Sequence, residues 1–70
     1  MKEVDLHGVP HNDVDRIIFD ACTKFDAPFV VITGDSKKMQ EIVEMAAIKM
    51  GMRTRGVIGN FGRLIICETR

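Results

Sequence analysis

Two apolar stripes at helical spacing, each approached through a short strand-like run, leave this chain few ways to fold. Val14, Ile17, Ile18, Ala21, Cys22 and Phe25 recur at i, i+3, i+4, i+7, i+8 and i+11, which is one face of a helix. Met39, Ile42, Val43, Ala46 and Met50 form a second such face. Ahead of the first stripe, residues 3–6 (EVDL) alternate polar and apolar as a half-buried strand does. Between the stripes, Phe29-Val30-Val31-Ile32 is a β-branched run of the kind buried on both faces. After the second stripe, residues 53–58 and 64–67 read as a hairpin around Gly59-Asn60-Phe61-Gly62. The order is β-α-β-α-β-β. The expected class is α/β (α+β): a two-layer sandwich with a mixed four-stranded sheet, in one domain covering residues 1–70.

Local punctuation agrees with these spans. His11 or Asn12 stands where the first helix needs a cap, and Asp13 and Asp15 follow where the helix dipole favours carboxylates. Asp26-Ala27-Pro28 stops that helix. Thr33-Gly34-Asp35-Ser36 turns the chain, Ser36 can cap the second helix, and Gly51 ends it. Met45 and Ile48 add a second apolar stripe to that helix.

Right-handed crossovers then limit the topology. If both step the same way across the sheet, both helices cover one face and the other face stays open. The second and fourth strands are apolar on both sides, so an open face exposes large side chains. A further element or a second copy must cover it, and a homodimer is among the expected partners.

Composition excludes several classes. With seventy residues, ten Lys+Arg and ten Asp+Glu, the net charge is zero, unlike a uniformly basic nucleic-acid coat. Apolar residues at 46% and charged residues at 29% fit a globule, not a disordered chain. No apolar run reaches the roughly 18 residues of a membrane span, so no membrane partner is expected. MKEVDLHG has no secretory apolar stretch and there are only two cysteines, which points to the cytoplasm. Cys22 and Cys67 sit among apolar neighbours and read as inert buried thiols.

Neutrality hides an asymmetry. Residues 1–35 carry seven acidic and three basic side chains, residues 36–70 three acidic and seven basic, so the halves are −4 and +4. Arg53 and Arg55 share one face of the third strand, Arg63 opens the fourth, and Lys37 and Lys38 begin the second helix. A basic surface for phosphates is one reading; an arginine-protected edge strand is the other. Phe61, in the hairpin turn, either stacks on a base or folds back onto the core.

The chemistry-bearing pattern is Asp5-Leu6-His7-Gly8 at the carboxyl end of the first strand, the edge where open α/β sheets gather ligands. Residues two apart on a strand project from the same face, here a carboxylate and an imidazole. Aspartate can orient the imidazole, accept a proton or hold a hard cation. Histidine, with an ordinary pKa of roughly 6.5, serves as acid or base near neutrality. A pair that merely closes a strand-to-helix turn is the plain alternative. Thr33, Gly34, Ser36, Lys37 and Lys38 form a second candidate, a helix start with hydroxyls, amides and lysines for a phosphate, although Asp35 opposes an anion there. His11, four residues after His7, is either a capping residue or a further ligand.

Val4-Asp5-Leu6-His7-Gly8 before an amphipathic helix, then Val31-Ile32-Thr33-Gly34, a second helix, and a closing Gly62-x-Leu64-Ile65-Ile66 strand together resemble the small MutS-related (Smr) domain. The resemblance covers about residues 4–68. It implies a fold similar to the C-terminal domain of bacterial translation initiation factor three. It further implies nucleic-acid binding and metal-assisted cleavage of DNA or RNA. By position, Asp5, His7 and Gly8 match the LDLHG signature, and Thr33 and Gly34 the start of TGxG. Asp35-Ser36 depart from that second signature, and the glycine-rich loop after it is shorter.

The expected function is thus an endonuclease or nickase acting on DNA or RNA, with Asp5 and His7 catalytic. Mg²⁺ is the expected cofactor, held by Asp5. Gly8, Thr33, Gly34, Ser36, Lys37, Lys38, Arg53, Arg55 and Arg63 would bind the nucleic acid. The competing expectation is a module that binds nucleic acid, or a second protein chain, without catalysis.

Overall fold

The computed structural model describes residues 1–69. In chain order the elements are β1 (Glu3–Asp5), α1 (His11–Lys24), β2 (Phe29–Ile32), α2 (Lys37–Lys49), β3 (Met52–Val57) and β4 (Asn60–Glu68). They form an α+β two-layer sandwich with a mixed sheet of order β1-β2-β4-β3. β1 and β2 are parallel, and β4 runs antiparallel to both β2 and β3. Both crossovers step the same way, from β1 to β2 and from β2 past β4 to β3, and both helices lie on one face.

The register shows which side chains share that face. Val4 pairs with Val31 and Val31 with Leu64; Phe29 pairs with Ile66 and Ile66 with Thr54. Phe29, Val31, Leu64 and Ile66 meet Val14, Ile18 and Ala21 of α1 and Met39, Val43, Ala46 and Ala47 of α2 in one core with Leu6. Phe29, Leu6, Ile18, Ile66, Val14, Val31 and Val43 are fully buried, each contributing roughly 1.5–3 kcal/mol of transfer free energy. An ion pair between Lys49 Nζ and Asp15 Oδ2 at 3.0 Å links the two helices on their solvent side. Met45 and Ile48, the second stripe of α2, remain exposed. No helix among the described residues is long and apolar enough to cross a membrane.

Several boundaries differ from the sequence expectation. Pro10, with φ −61° and ψ 143°, occupies the cap position of α1, so His11 and Asn12 fall inside the first turn and no side chain caps it. Asp13 alone is acidic in that turn; Asp15 points to Lys49 instead. Ser36 caps α2 as expected, its Oγ accepting from the Met39 amide at 3.0 Å. Gly51, at φ +74°, takes the left-handed position that ends the helix.

The largest difference lies in the hairpin. β3 ends at Val57 and pairs with Asn60, leaving a two-residue turn of Ile58 and Gly59, and Asn60 to Gly62 belong to β4. The long-range bond that holds them there is to the end of β2: Gly62 O accepts from the Thr33 and Gly34 amides at 2.8 and 3.1 Å. The backbones come so close that a Cβ on Gly62 would lie 3.4 Å from Gly34 Cα.

Candidate functional site

The carboxyl ends of β1 and β2, the starts of α1 and α2, and the amino end of β4 converge at one end of the sheet. Asp5 pairs with Ile32, and Ile32 with Arg63, so Asp5 and Arg63 lie two strand spacings apart, about 10 Å, on the face away from the helices. β1 stops at Asp5. Leu6 still bonds the Ile32 carbonyl through its amide, and its own carbonyl accepts from the Val9 amide, both at 3.0 Å. His7 and Gly8 are therefore the central residues of a β-turn, and Gly8 supplies the positive φ of +77° that such a turn requires.

This turn changes the relation within the candidate pair. His7 is not a strand residue two positions beyond Asp5 but the turn residue above it. Asp5 Oδ1 accepts from the His7 backbone amide at 2.9 Å, fixing the turn without engaging the imidazole. Both residues are exposed. Oδ2 of Asp5 has no partner among the described residues, so one carboxylate oxygen faces solvent.

At the neighbouring turn the structure commits the groups that the sequence offered to a phosphate. Thr33 is 6% exposed, and its hydroxyl donates to Gly34 O at 3.0 Å and to Gly62 O at 3.2 Å. The Thr33 and Gly34 amides also bond Gly62, and Ser36 Oγ serves its own helix. The Thr33-Gly34 signature is thus the clasp between β2 and β4. Gln40 Nε2 strengthens it by donating to Phe61 O. Lys37 and Lys38 stay exposed at the first turn of α2. Phe61 is 84% exposed and does not fold onto the core. His11, Asn12 and Lys38 line one open groove of about 710 Å³ that runs between the start of α1 and the length of α2, as far as Lys49.

The arginines separate. Arg63 lies at the converging end, but its Nη1 is 3.1 Å from Glu3 Oε2, which offsets its charge. Arg55 pairs with Ile65 and Arg53 with Cys67 on the edge strand, toward the opposite end of the sheet. They lie three strand spacings from β1, about 14 Å, beside a hollow lined by Ala27, Pro28, Cys67 and Glu68. They do not join Asp5 and His7 in one site. Sequence reasoning missed Glu3 and Gln40. The opposite charge of Glu3 was visible, but its pairing with Arg63 depends on the sheet order.

Among the described residues no group of three or more His, Cys, Asp and Glu side chains gathers as a metal site. Asp5, with Oδ2 unpartnered among the described residues, is the ligand that the sequence proposed at this end. Cys22 and Cys67 are half-buried free thiols. Burial raises the Cys22 thiol above its ordinary value. The chain finds no significant match among family models, curated proteins or solved structures.

Proposed function

We propose that this protein acts on nucleic acid in the manner its Smr-like signatures imply, with Asp5 and His7 as the active pair. The reading rests on what stands at one end of the sheet: Asp5 with an open carboxylate oxygen, the solvent-facing His7, Arg63 about 10 Å from Asp5 on the outer face, and Lys37 and Lys38 exposed at the start of α2. His7 takes a proton from the nucleophile, a water or an RNA 2′-hydroxyl, the role an imidazole commonly fills near neutrality. Lys37 and Lys38 meet the negative charge of the phosphate, while Arg63 stays paired with Glu3 at the edge of the site. Exposed Phe61 at the same end suits stacking on an unpaired base.

Asp5 offers one free carboxylate oxygen, which fits Mg²⁺ held otherwise by water and by phosphate oxygens, as that ion is commonly bound. When bound, Mg²⁺ supplies charge to the scissile phosphate.

The test uses labelled DNA and RNA, with and without Mg²⁺, and the Asp5→Asn and His7→Ala variants. Asparagine keeps an oxygen acceptor for the His7 amide, so Asp5→Asn should fold normally and lose cleavage. His7→Ala should do the same. Equal cleavage by all three proteins would sink the proposal.

A second reading is binding without cleavage. It is favoured by one observation: Asp5 engages the His7 amide and leaves the imidazole unoriented. Under it, nucleic acid binds wild type and both variants alike, without cutting, and affinity falls steeply with salt.

A further inference from the structure

The sheet face away from the helices is laid out as a self-complementary surface. Register places Glu3, Val30, Ile65 and Arg55 in one row across all four strands, in that order. Asp5, Ile32 and Arg63 form the row above it, and Cys67 and Arg53 lie in the row below. The centre is therefore apolar, with Val30, Ile32, Ile65 and Cys67 half-buried and covered by no helix. One edge is acidic, through Glu3 and Asp5. The other edge is basic, through Arg53 and Arg55. None of these four carries an ion pair to the opposite edge; Glu3 reaches only as far as Arg63.

We infer that this face docks a second copy of the same chain, about a two-fold axis that lies in the interface and runs along the strands. Two opposed faces admit an in-plane axis along or across the strands, and charge distinguishes them. An axis across the strands lays β1 over β1 and β3 over β3, setting carboxylate on carboxylate and arginine on arginine. An axis along the strands lays β1 over β3, so Glu3 meets Arg55 of the second copy twice. It also brings Ile65 onto Val30 of the second copy, twice, at the centre. Aligned sheet-on-sheet packing tolerates this arrangement, with the sheets turned about 30° by their twist. Glu3 Oε2 keeps Arg63, leaving Oε1 for Arg55 of the second copy, so each edge becomes a three-charge network.

Nucleic acid is a poorer occupant of the central rows of this face, since Glu3 repels phosphate there and their centre offers no hydrogen-bond donors, whereas Asp5 and Arg63 lie in the end row beside the proposed site. The strands β1, β2, β4 and β3, of three, four, nine and six residues, lie about 4.8 Å apart and give a footprint of roughly 350 Å² per copy. That is small for a specific interface, which makes the dimer a weak, concentration-dependent one.

Sedimentation of the full chain over a micromolar concentration series tests the proposal. Wild type should move from monomer to dimer. Ile65→Lys should stay monomeric while keeping its circular dichroism spectrum. Glu3→Arg alone and Arg55→Glu alone should each weaken the dimer by about tenfold or more, because both contacts turn repulsive. Mixed one to one, those two variants should form a heterodimer, since each of its two contacts again joins arginine to carboxylate. A wild type that is monomeric throughout overturns the proposal. So does a dimer indifferent to Ile65→Lys, or a mixture that stays as weak as its components.

Discussion

Replacing Thr33 by valine removes one hydroxyl and changes little else, which makes it a sharp probe of the second signature. Threonine and valine share their branching and nearly their volume, and the side chain is 6% exposed, so no cavity opens. The hydroxyl donates to Gly34 O at 3.0 Å and Gly62 O at 3.2 Å. Neither acceptor is orphaned by its loss. Gly62 O retains the Thr33 and Gly34 amides, and Gly34 O retains Gln40 Nε2 at 3.5 Å. The cost is therefore one net hydrogen bond, about 1 kcal/mol, and not the larger penalty of a buried group left unpaired. For a domain of this size, 1 kcal/mol lowers Tm by roughly 4–8 °C. Thermal unfolding followed by circular dichroism reads that shift. A nucleic-acid titration well below Tm should show unchanged affinity, because the hydroxyl points into the clasp. A variant as stable as wild type that binds nucleic acid several-fold more weakly would refute this reasoning, since the hydroxyl would then be reaching phosphate.

Two further outcomes follow from local geometry. Ser36→Ala frees the Met39 amide that Ser36 Oγ accepts from, and should cost about 1 kcal/mol in chemical denaturation, while Ser36→Asp restores most of it. Burial favours the neutral Cys22 thiol, so its folded value lies above the ordinary 9.0. As pH rises the unfolded chain loses that proton first, so stability falls from about pH 9 upward through the higher folded value. Denaturant midpoints above about pH 9 should therefore drop less in Cys22→Ala than in wild type; equal slopes would count against burial as the cause.

Those features that a short stretch of chain determines were legible in advance. The first stripe marks α1 through Val14, Ile18 and Ala21, and Ser36 caps α2 because its hydroxyl needs only an amide three residues on. The two-layer class followed from the order of these patterns. The misses are nonlocal. β4 begins at Asn60 and not at Leu64 because Gly62 is held by the Thr33 and Gly34 amides just past the end of β2, twenty-nine and twenty-eight residues earlier. The pairing of Arg63 with Glu3 needs β1 and β4 to flank β2, which no local pattern encodes. At the site, Gly8 was legible as a turn glycine, but the turn also lifted His7 off the strand. That altered the geometry expected of the Asp5-His7 pair.

The charge asymmetry acquires a direction only through topology. Along the chain, negative charge gathers early and positive charge late, which by itself says nothing about where either lies. Because both crossovers step the same way, the first strand ends at one edge of the sheet and the third at the other. Glu3 and Asp5 are thereby carried to the edge opposite Arg53 and Arg55, and a difference in sequence becomes a gradient across one face. Had the second crossover reversed, β3 would have joined β1 and the charges would cancel locally. The same ordering sets where two docked copies would hold their Asp5-His7 turns. An axis along the strands keeps both carboxyl ends of β1 pointing the same way, so the two Asp5-His7 turns stand at one end of the dimer, on opposite edges. A nucleic acid lying across that end meets both. Dimerisation should then raise affinity for strands long enough to span the two turns and leave shorter ones unaffected, which a length series in wild type and Ile65→Lys would resolve.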